Sequence, residues 1–206
     1  MRRTPMKKII LTLAILCFST NALAYFSLMD TGNVKEVGEY RIMGEGQILL
    51  DSPKGFNLNG RFTTGYDEDS EIQIEAGVGS IDFYLGAFWK WVPFPDTDEQ
   101  PAIGARFGVT FADVNDYSTY GFNITPLVSK KFSTEIGKIS PYAGLPIGLQ
   151  KNTLDTFLSM QAAVGVEWIP DEWTFDYLQN IHFLVEYGVE IDDAFNYFTF
   201  GATYDF

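Results

Sequence analysis

From Phe56 to Phe206 the chain alternates apolar and polar side chains with a period of two, in run after run. In "GFNLNGRFTTGY", Phe56, Leu58 and Phe62 share one face, while Asn57, Asn59, Arg61 and Thr63 share the other. "EIQIEAGVG" sets Ile72, Ile74, Ala76 and Val78 against Glu71, Gln73 and Glu75. "AIGARFGVTFAD" sets Ile103, Ala105, Phe107, Val109 and Phe111 against Gly104, Arg106, Gly108 and Thr110. Successive side chains of a strand point to opposite faces, so the pattern predicts strands with one greasy and one polar side. "EYRIMGEGQILL", "IDFYLGAFWKW", "YGFNITPLVSKKF", "KISPYAGLPIGLQ", "SMQAAVGVEW", "IHFLVEYGVE" and "YFTFGATYDF" read the same way, which brings the total to about ten strands. Turn-forming stretches such as "DSPKG", "YDEDS" and "IDDAFN" separate them. No long helical pattern or low-complexity linker appears, and 206 residues fit one domain.

The pattern changes phase inside "AGVGSIDFYLG". Apolar residues sit at even positions up to Val78 and at odd ones from Ile81, through Phe83, Leu85, Ala87 and Trp89. A two-residue hairpin loop has this effect, because the residues flanking it pair directly and point the same way. Gly79-Ser80 is therefore expected to be that loop, with the glycine supplying the positive φ of a type II′ turn.

A leader precedes the alternating part. "MRRTPMKKIILTLAILCFSTNALA" has a basic head, an apolar run from Ile9 to about Phe18, and a small-residue end at Ala22-Leu23-Ala24. This is the layout of a secretory signal peptide, residues 1–24, cleaved after Ala24. As a membrane anchor the apolar run is short. Leu16 stands where a lipoprotein signal needs a small residue before Cys17. The leader holds four of the 14 basic residues and none of the 27 acidic ones, so the exported part carries a net charge of −17. It also loses Cys17, the only cysteine, and with it any disulfide, thiol nucleophile or thiolate metal site. A strongly acidic chain lacks the basic face that nucleic acid requires.

Alternation alone does not say which face is inside. A lipocalin-like soluble barrel buries its apolar face around a ligand, whereas a membrane barrel turns that face to lipid. Here the polar faces combine glycines and small residues with opposed charges: Glu45, Glu71, Glu75, Glu167 and Glu186 against Arg41, Arg61, Lys90 and Arg106. That set suits a cramped polar lumen better than a solvated surface, which would be richer in lysine. Aromatic residues, 16% of the chain, gather near strand ends as an interfacial belt would require. Trp89, Trp91, Trp168, Trp173, Tyr204 and Phe206 are its expected members.

The last strand carries a resemblance. In "YFTFGATYDF", Phe198, Phe200, Tyr204 and the terminal Phe206 share one face, which resembles the C-terminal β-signal of bacterial outer-membrane barrels. With the leader and the alternation, the exported chain resembles a small member of that class, with no single family singled out. The resemblance implies a lipid and lipopolysaccharide environment, recognition by the barrel-assembly machinery through this strand, and periplasmic termini. The expected fold is thus all-β, a single antiparallel up-and-down transmembrane barrel of ten strands, with eight also open, since the class favours an even count. Residues 38–206 would form the barrel and 25–37 a short periplasmic segment before it. Counting back from Phe206 places Trp89, Trp91 and Trp168 at the inner interface, with Trp173 just beyond in a stretch that Asp171 is fit to cap as a helical turn. Two features sit awkwardly with this count: the outer turn at Gly79-Ser80 is short, and Pro126, Pro141 and Pro146 fall in strands where each removes a ladder donor.

Little in the chain points to catalysis. His182 is the only histidine and, with Glu186 four residues on, faces the lumen; the favoured role is a member of the ion network. Asp192-Asp193 lies at the outer rim with no histidine beside it and reads as a solvated turn. "YDEDSE" (Tyr66 to Glu71) and "DVND" (Asp113 to Asp116) offer oxygen ligands of the kind calcium prefers, but without the spacing or glycine of a calcium loop. No cofactor, metal or enzymatic activity is therefore expected. Two readings of the barrel remain: a structural or surface element filled by its ion pairs, or a narrow cation-preferring channel lined by surplus carboxylates. The soluble periplasmic barrel with an apolar ligand stands as the alternative from another class. Oligomeric state is not legible.

Overall fold

The computed structural model describes residues 27–51, 54–114, 117–152, 155–171 and 180–206. The leader, residues 115–116, and Trp173 with the helical turn expected around it lie outside them. The strand segments are β1 (Tyr40–Leu49), β2 (Gly55–Gly65), β3 (Ser70–Gly79), β4 (Phe83–Phe94), β5 (Ala102–Val114), β6 (Tyr117–Ser129), β7 (Phe132–Thr134), β8 (Gly137–Gly144), β9 (Ile147–Lys151), β10 (Thr156–Ile169), β11 (Ile181–Asp192) and β12 (Tyr197–Asp205). All ladders are antiparallel, and β1 pairs with both β2 and β12, so the sheet closes on itself. β8 and β9 both lie between β6 and β10 in one unbroken register, and so form a single barrel strand interrupted at Leu145-Pro146. β7 likewise continues β6 past Lys130-Lys131 without a register change. The result is a closed ten-stranded up-and-down barrel, as the alternation predicts.

The prolines fit because their carbonyls still work. Pro126 and Pro141 keep strand positions opposite Ala105 and Val166. Pro146 sits in the interruption, where its carbonyl accepts from Gln161 N at 3.0 Å. Only the donor is lost at each.

Burial runs inside out. Leu58, Ile74, Leu85, Val109, Phe122, Val164, Val185 and Phe200 are exposed on the outer face, while Glu75, Lys90, Gln73, Gln161, Glu167 and Glu186 are buried within. Val109 is 58% exposed and Lys90 is 0% exposed. This corrects the lipocalin-like alternative, which needs the greasy face inside: the outer surface is apolar and the interior is polar, the arrangement of a transmembrane barrel.

Two local expectations are also corrected. The β3–β4 hairpin does not turn at Gly79-Ser80. β3 runs through Gly79, β4 begins at Phe83, and the last ladder pair is Gly77 with Tyr84. Ile81 lies in the connection, buried with Tyr84 and Ala112 rather than facing outward opposite Val78. The observed register is displaced by two residues from the expected one, which leaves the phase of the alternation unchanged. Gly79 does have positive φ, +147°, but as the last residue of β3, packed against Phe56 and Asn57. The second correction concerns residues 25–37. Ser27, Leu28, Met29, Asp30 and Thr31 run inside the barrel, fully buried, rather than lying beyond its mouth. The segment leaves past Val34 and Lys35 and meets the wall at Val37, which bridges to Gly65 at the end of β2. We call the end of the barrel bearing Tyr40 and Phe206 the terminal mouth.

Candidate functional site

Strand alternation delivers the lumen its charged residues, because each strand places every second residue inward. They form layers along the axis. In the middle layer Arg61 Nε lies 2.6 Å from Glu75 Oε1, and Arg106 pairs with the same carboxylate while its guanidinium stacks 3.6 Å over the Phe88 ring. Tyr84 donates to Glu75 at 3.1 Å, and Asn59 donates to Glu45 at 2.8 Å. These groups close on the inserted segment. Arg61 Nη1 donates to the carbonyls of Leu28 and Met29 at 3.0 and 2.9 Å. Three strands round the wall, on β11, Glu186 accepts the Leu28 and Met29 amides at 2.8 and 2.5 Å, and the Tyr197 hydroxyl at 2.7 Å. Met29 adopts a left-handed backbone, φ +37°, which turns two successive N–H groups toward one carboxylate.

Nearer the terminal mouth, Lys90 holds the segment a second time. Its ammonium pairs with Asp30 at 2.9 Å and Glu71 at 2.8 Å, and donates to the carbonyls of Thr31 and Asn33 at 3.0 and 2.8 Å. Gln73 donates to both Asp30 and Glu71, at 2.6 and 2.8 Å. At the mouth itself Asp205 pairs with Arg41 and Lys35, each at 2.6 Å. His182 Nδ1 stands 2.9 Å from Glu167 Oε1, and its Nε2 is 3.6 Å from Asp205. His182 thus belongs to Glu167 and Asp205, not to Glu186, which the segment occupies.

Among the described residues, the buried polar side chains of the far half of the lumen are neutral. Asn57 donates to Gln47 at 3.0 Å, Asn123 to Thr110 at 3.0 Å, and Gln150 to Asn123 at 3.0 Å. Two of the turns at that end fold apolar residues inward: Ile81 beside Tyr84, and Phe195 beside Leu49 and Tyr197. Asp193 occupies the β11–β12 turn with φ +40°. In the other acidic stretch, Asp67 accepts from Ser70 Oγ at 2.7 Å, Asp69 accepts from the Trp91 indole at 2.9 Å, and Glu71 turns inward to Lys90. Those carboxylates point to three different partners rather than to one centre.

The structure places Arg41, Glu45, Arg61, Glu71, Glu75, Lys90, Arg106, Glu167, His182 and Glu186 among the ion pairs and hydrogen bonds of the interior. Sequence reasoning missed Asp205, although parity offered it, since Asp205 alternates with Phe198, Phe200 and Tyr204. It missed Lys35 and Asp30 for a different reason: they belong to an aperiodic stretch. Of the aromatic residues expected at the interface, Trp89, Trp91, Trp168, Tyr204 and Phe206 lie outward at the terminal mouth, and Trp173 lies outside the described residues. Trp89 stacks on Trp91 and Phe107 with centroids 6.2 and 5.7 Å apart, Trp168 on Phe183 at 5.8 Å, and Tyr204 on Phe206 at 6.2 Å. The indole of Trp168 donates to Ile136 O at 2.9 Å. Phe198 and Phe200 are exposed on the outer face of β12.

No family model matches the chain, and no curated protein matches it. Among solved structures it is similar to a de novo designed transmembrane β-barrel, with 12% identity and a TM-score of 0.40 over 84% of this chain and 100% of that one. It is also similar to the β domain of the Bordetella autotransporter BrkA, with 11% identity and a TM-score of 0.46 over 82% and 98% of the two chains. A third is the translocator domain of the autotransporter NalP from Neisseria meningitidis, with 11% identity and a TM-score of 0.44 over 97% and 94%. The fold assignment rests on the barrel's own closure and burial. The chain is a closed, inside-out barrel of the outer-membrane type, and no single family within that class claims it.

Proposed function

We propose that the protein is an integral outer-membrane barrel of structural or surface type, closed at rest by its own N-terminal segment. The observation that carries this reading is the grip on Leu28 and Met29, whose amides and carbonyls are taken by Glu186 on β11 and Arg61 on β2. A ten-stranded barrel has room for little more than its side chains, and here the residual space is occupied by peptide. Short turns at the far end offer little surface for a partner. The apolar outer face supports residence in lipid, with lipopolysaccharide as the outer-leaflet neighbour. The aromatic face of β12 supports delivery by the barrel-assembly machinery after secretion. This reading assigns no catalysis to the lumen; His182 serves in the ion network with Glu167 and Asp205.

The test is conductance of the processed, full-length barrel in planar bilayers. The expected result is no step above background. Stable, cation-selective steps would overturn closure and establish the channel reading instead. Fractionation is the companion measurement: retention in the outer membrane and a heat-dependent shift on gels are expected, and release with the soluble periplasm would overturn membrane residence.

A further inference from the structure

The inserted segment is held in an unusual manner. The wall reads its main chain: besides the Arg61 and Glu186 contacts, Lys90 takes the Thr31 and Asn33 carbonyls, Ser129 Oγ accepts the Gly32 amide at 2.8 Å, and Glu71 accepts the Lys35 amide at 2.9 Å. Main-chain donors and acceptors are common to every peptide. Four positions add selection. Leu28 and Met29 pack among Met43, Leu127, Tyr142 and Leu184; Asp30 meets Lys90 and Gln73; and a Cβ on Gly32 would lie 2.3 Å from that of Ala102. A cavity of about 460 Å³ opens beside the segment's exit, lined by Val34, Lys35, Arg41, Asp96, Lys131 and His182. After cleavage at Ala24 the segment would also be a chain end, able to withdraw without unthreading a loop or breaking a ladder.

We propose that the lumen is a binding site for a peptide of the pattern apolar-apolar-acidic-x-glycine, bent at its second residue, of which Leu28 to Gly32 is the resident, exchangeable occupant. The proposal rests on closure by this segment and adds that closure is reversible and that a peptide in trans competes for the site. Charged and polar side chains hold the peptide by its backbone here, while the apolar cluster around Leu28 and Met29, the ammonium of Lys90 and the tight approach of Ala102 give specificity.

The test uses the full-length barrel carrying Leu28→Cys, since the exported part has no cysteine of its own, and a synthetic peptide spanning residues 25–37 as competitor. Labelling of the introduced thiol by a membrane-impermeant maleimide is expected to be slow, and to accelerate about tenfold when peptide displaces the segment by mass action. The peptide with the Asp30 position changed to lysine and the Gly32 position to valine should not accelerate it. As a second measurement, a barrel lacking residues 25–36 should conduct in planar bilayers and be blocked by the unmodified peptide. Labelling that ignores the peptide overturns the proposal whether or not the shortened barrel folds, as does a folded shortened barrel that the peptide does not block. Silence of the full-length barrel would survive either failure, so closure and exchange are judged separately.

Discussion

At the scale of single residues, the lumen depends on charges that are each shared. Arg61 faces Glu75 and Glu45 and also donates to two carbonyls of the inserted segment. Removing it takes one of the two guanidinium partners of Glu75 and breaks the pair with Glu45, which unbalances buried charge, the costly half of a broken buried pair. Arg61→Ala should therefore lower stability by about 3–5 kcal/mol, read from urea unfolding in detergent. It should also produce a leak in planar bilayers, larger still with Arg106→Ala added; an unchanged baseline would mean that the arginines do not maintain closure. Glu186→Gln is a gentler probe. It keeps the volume but offers an amide group where the Leu28 and Met29 amides and the Tyr197 hydroxyl all donate. The expected cost is about 1–3 kcal/mol, that of an imperfectly satisfied buried group, together with faster hydrogen exchange at the two segment amides.

At the scale of elements, the ladder was legible and the links between its rungs were less so. Alternation located the strands and their polar face because a strand's period is fixed by its backbone. It could not place the turn after β3, since a register displaced by two residues leaves the same parity; burial of Ile81 is what distinguishes them. Nor could it foresee that β8 and β9 would hold register across Leu145-Pro146, where neighbours on both sides supply the alignment. Gly79 tests the turn directly. Its φ of +147° is unfavourable for other residues, and a Cβ there would lie 2.3 Å from the carbonyl oxygen of Phe56. Gly79→Ala should cost about 1–3 kcal/mol in urea unfolding and loosen the Asn57–Gly79 pairing at the far rim, measured by exchange of the Ser80 amide. The inserted segment was the least legible element of all. Its hydrogen bonds run from main chain to distant side chains, such as Glu186 and Arg61, and main-chain groups leave no pattern in the order of residues.

At the scale of the whole molecule, orientation decides everything else, and the outer face is where it is tested. Val109, near the middle of β5, points outward between Ala87 and Phe122 on the neighbouring strands. In a soluble barrel with this exposure Val109→Arg would be close to neutral, since an exposed arginine in water has nothing to desolvate. In a lipid-facing wall the same change places a charge near the bilayer midplane, worth about 2–4 kcal/mol against the folded state. The predicted loss should appear in urea unfolding from lipid vesicles and shrink for Ile103→Arg, which lies on the same face close to the terminal mouth. A depth-dependent penalty of that kind requires hydrocarbon outside the wall; equal, negligible effects at both positions would require water there, and the ion-paired lumen would then be the interior of some other kind of barrel.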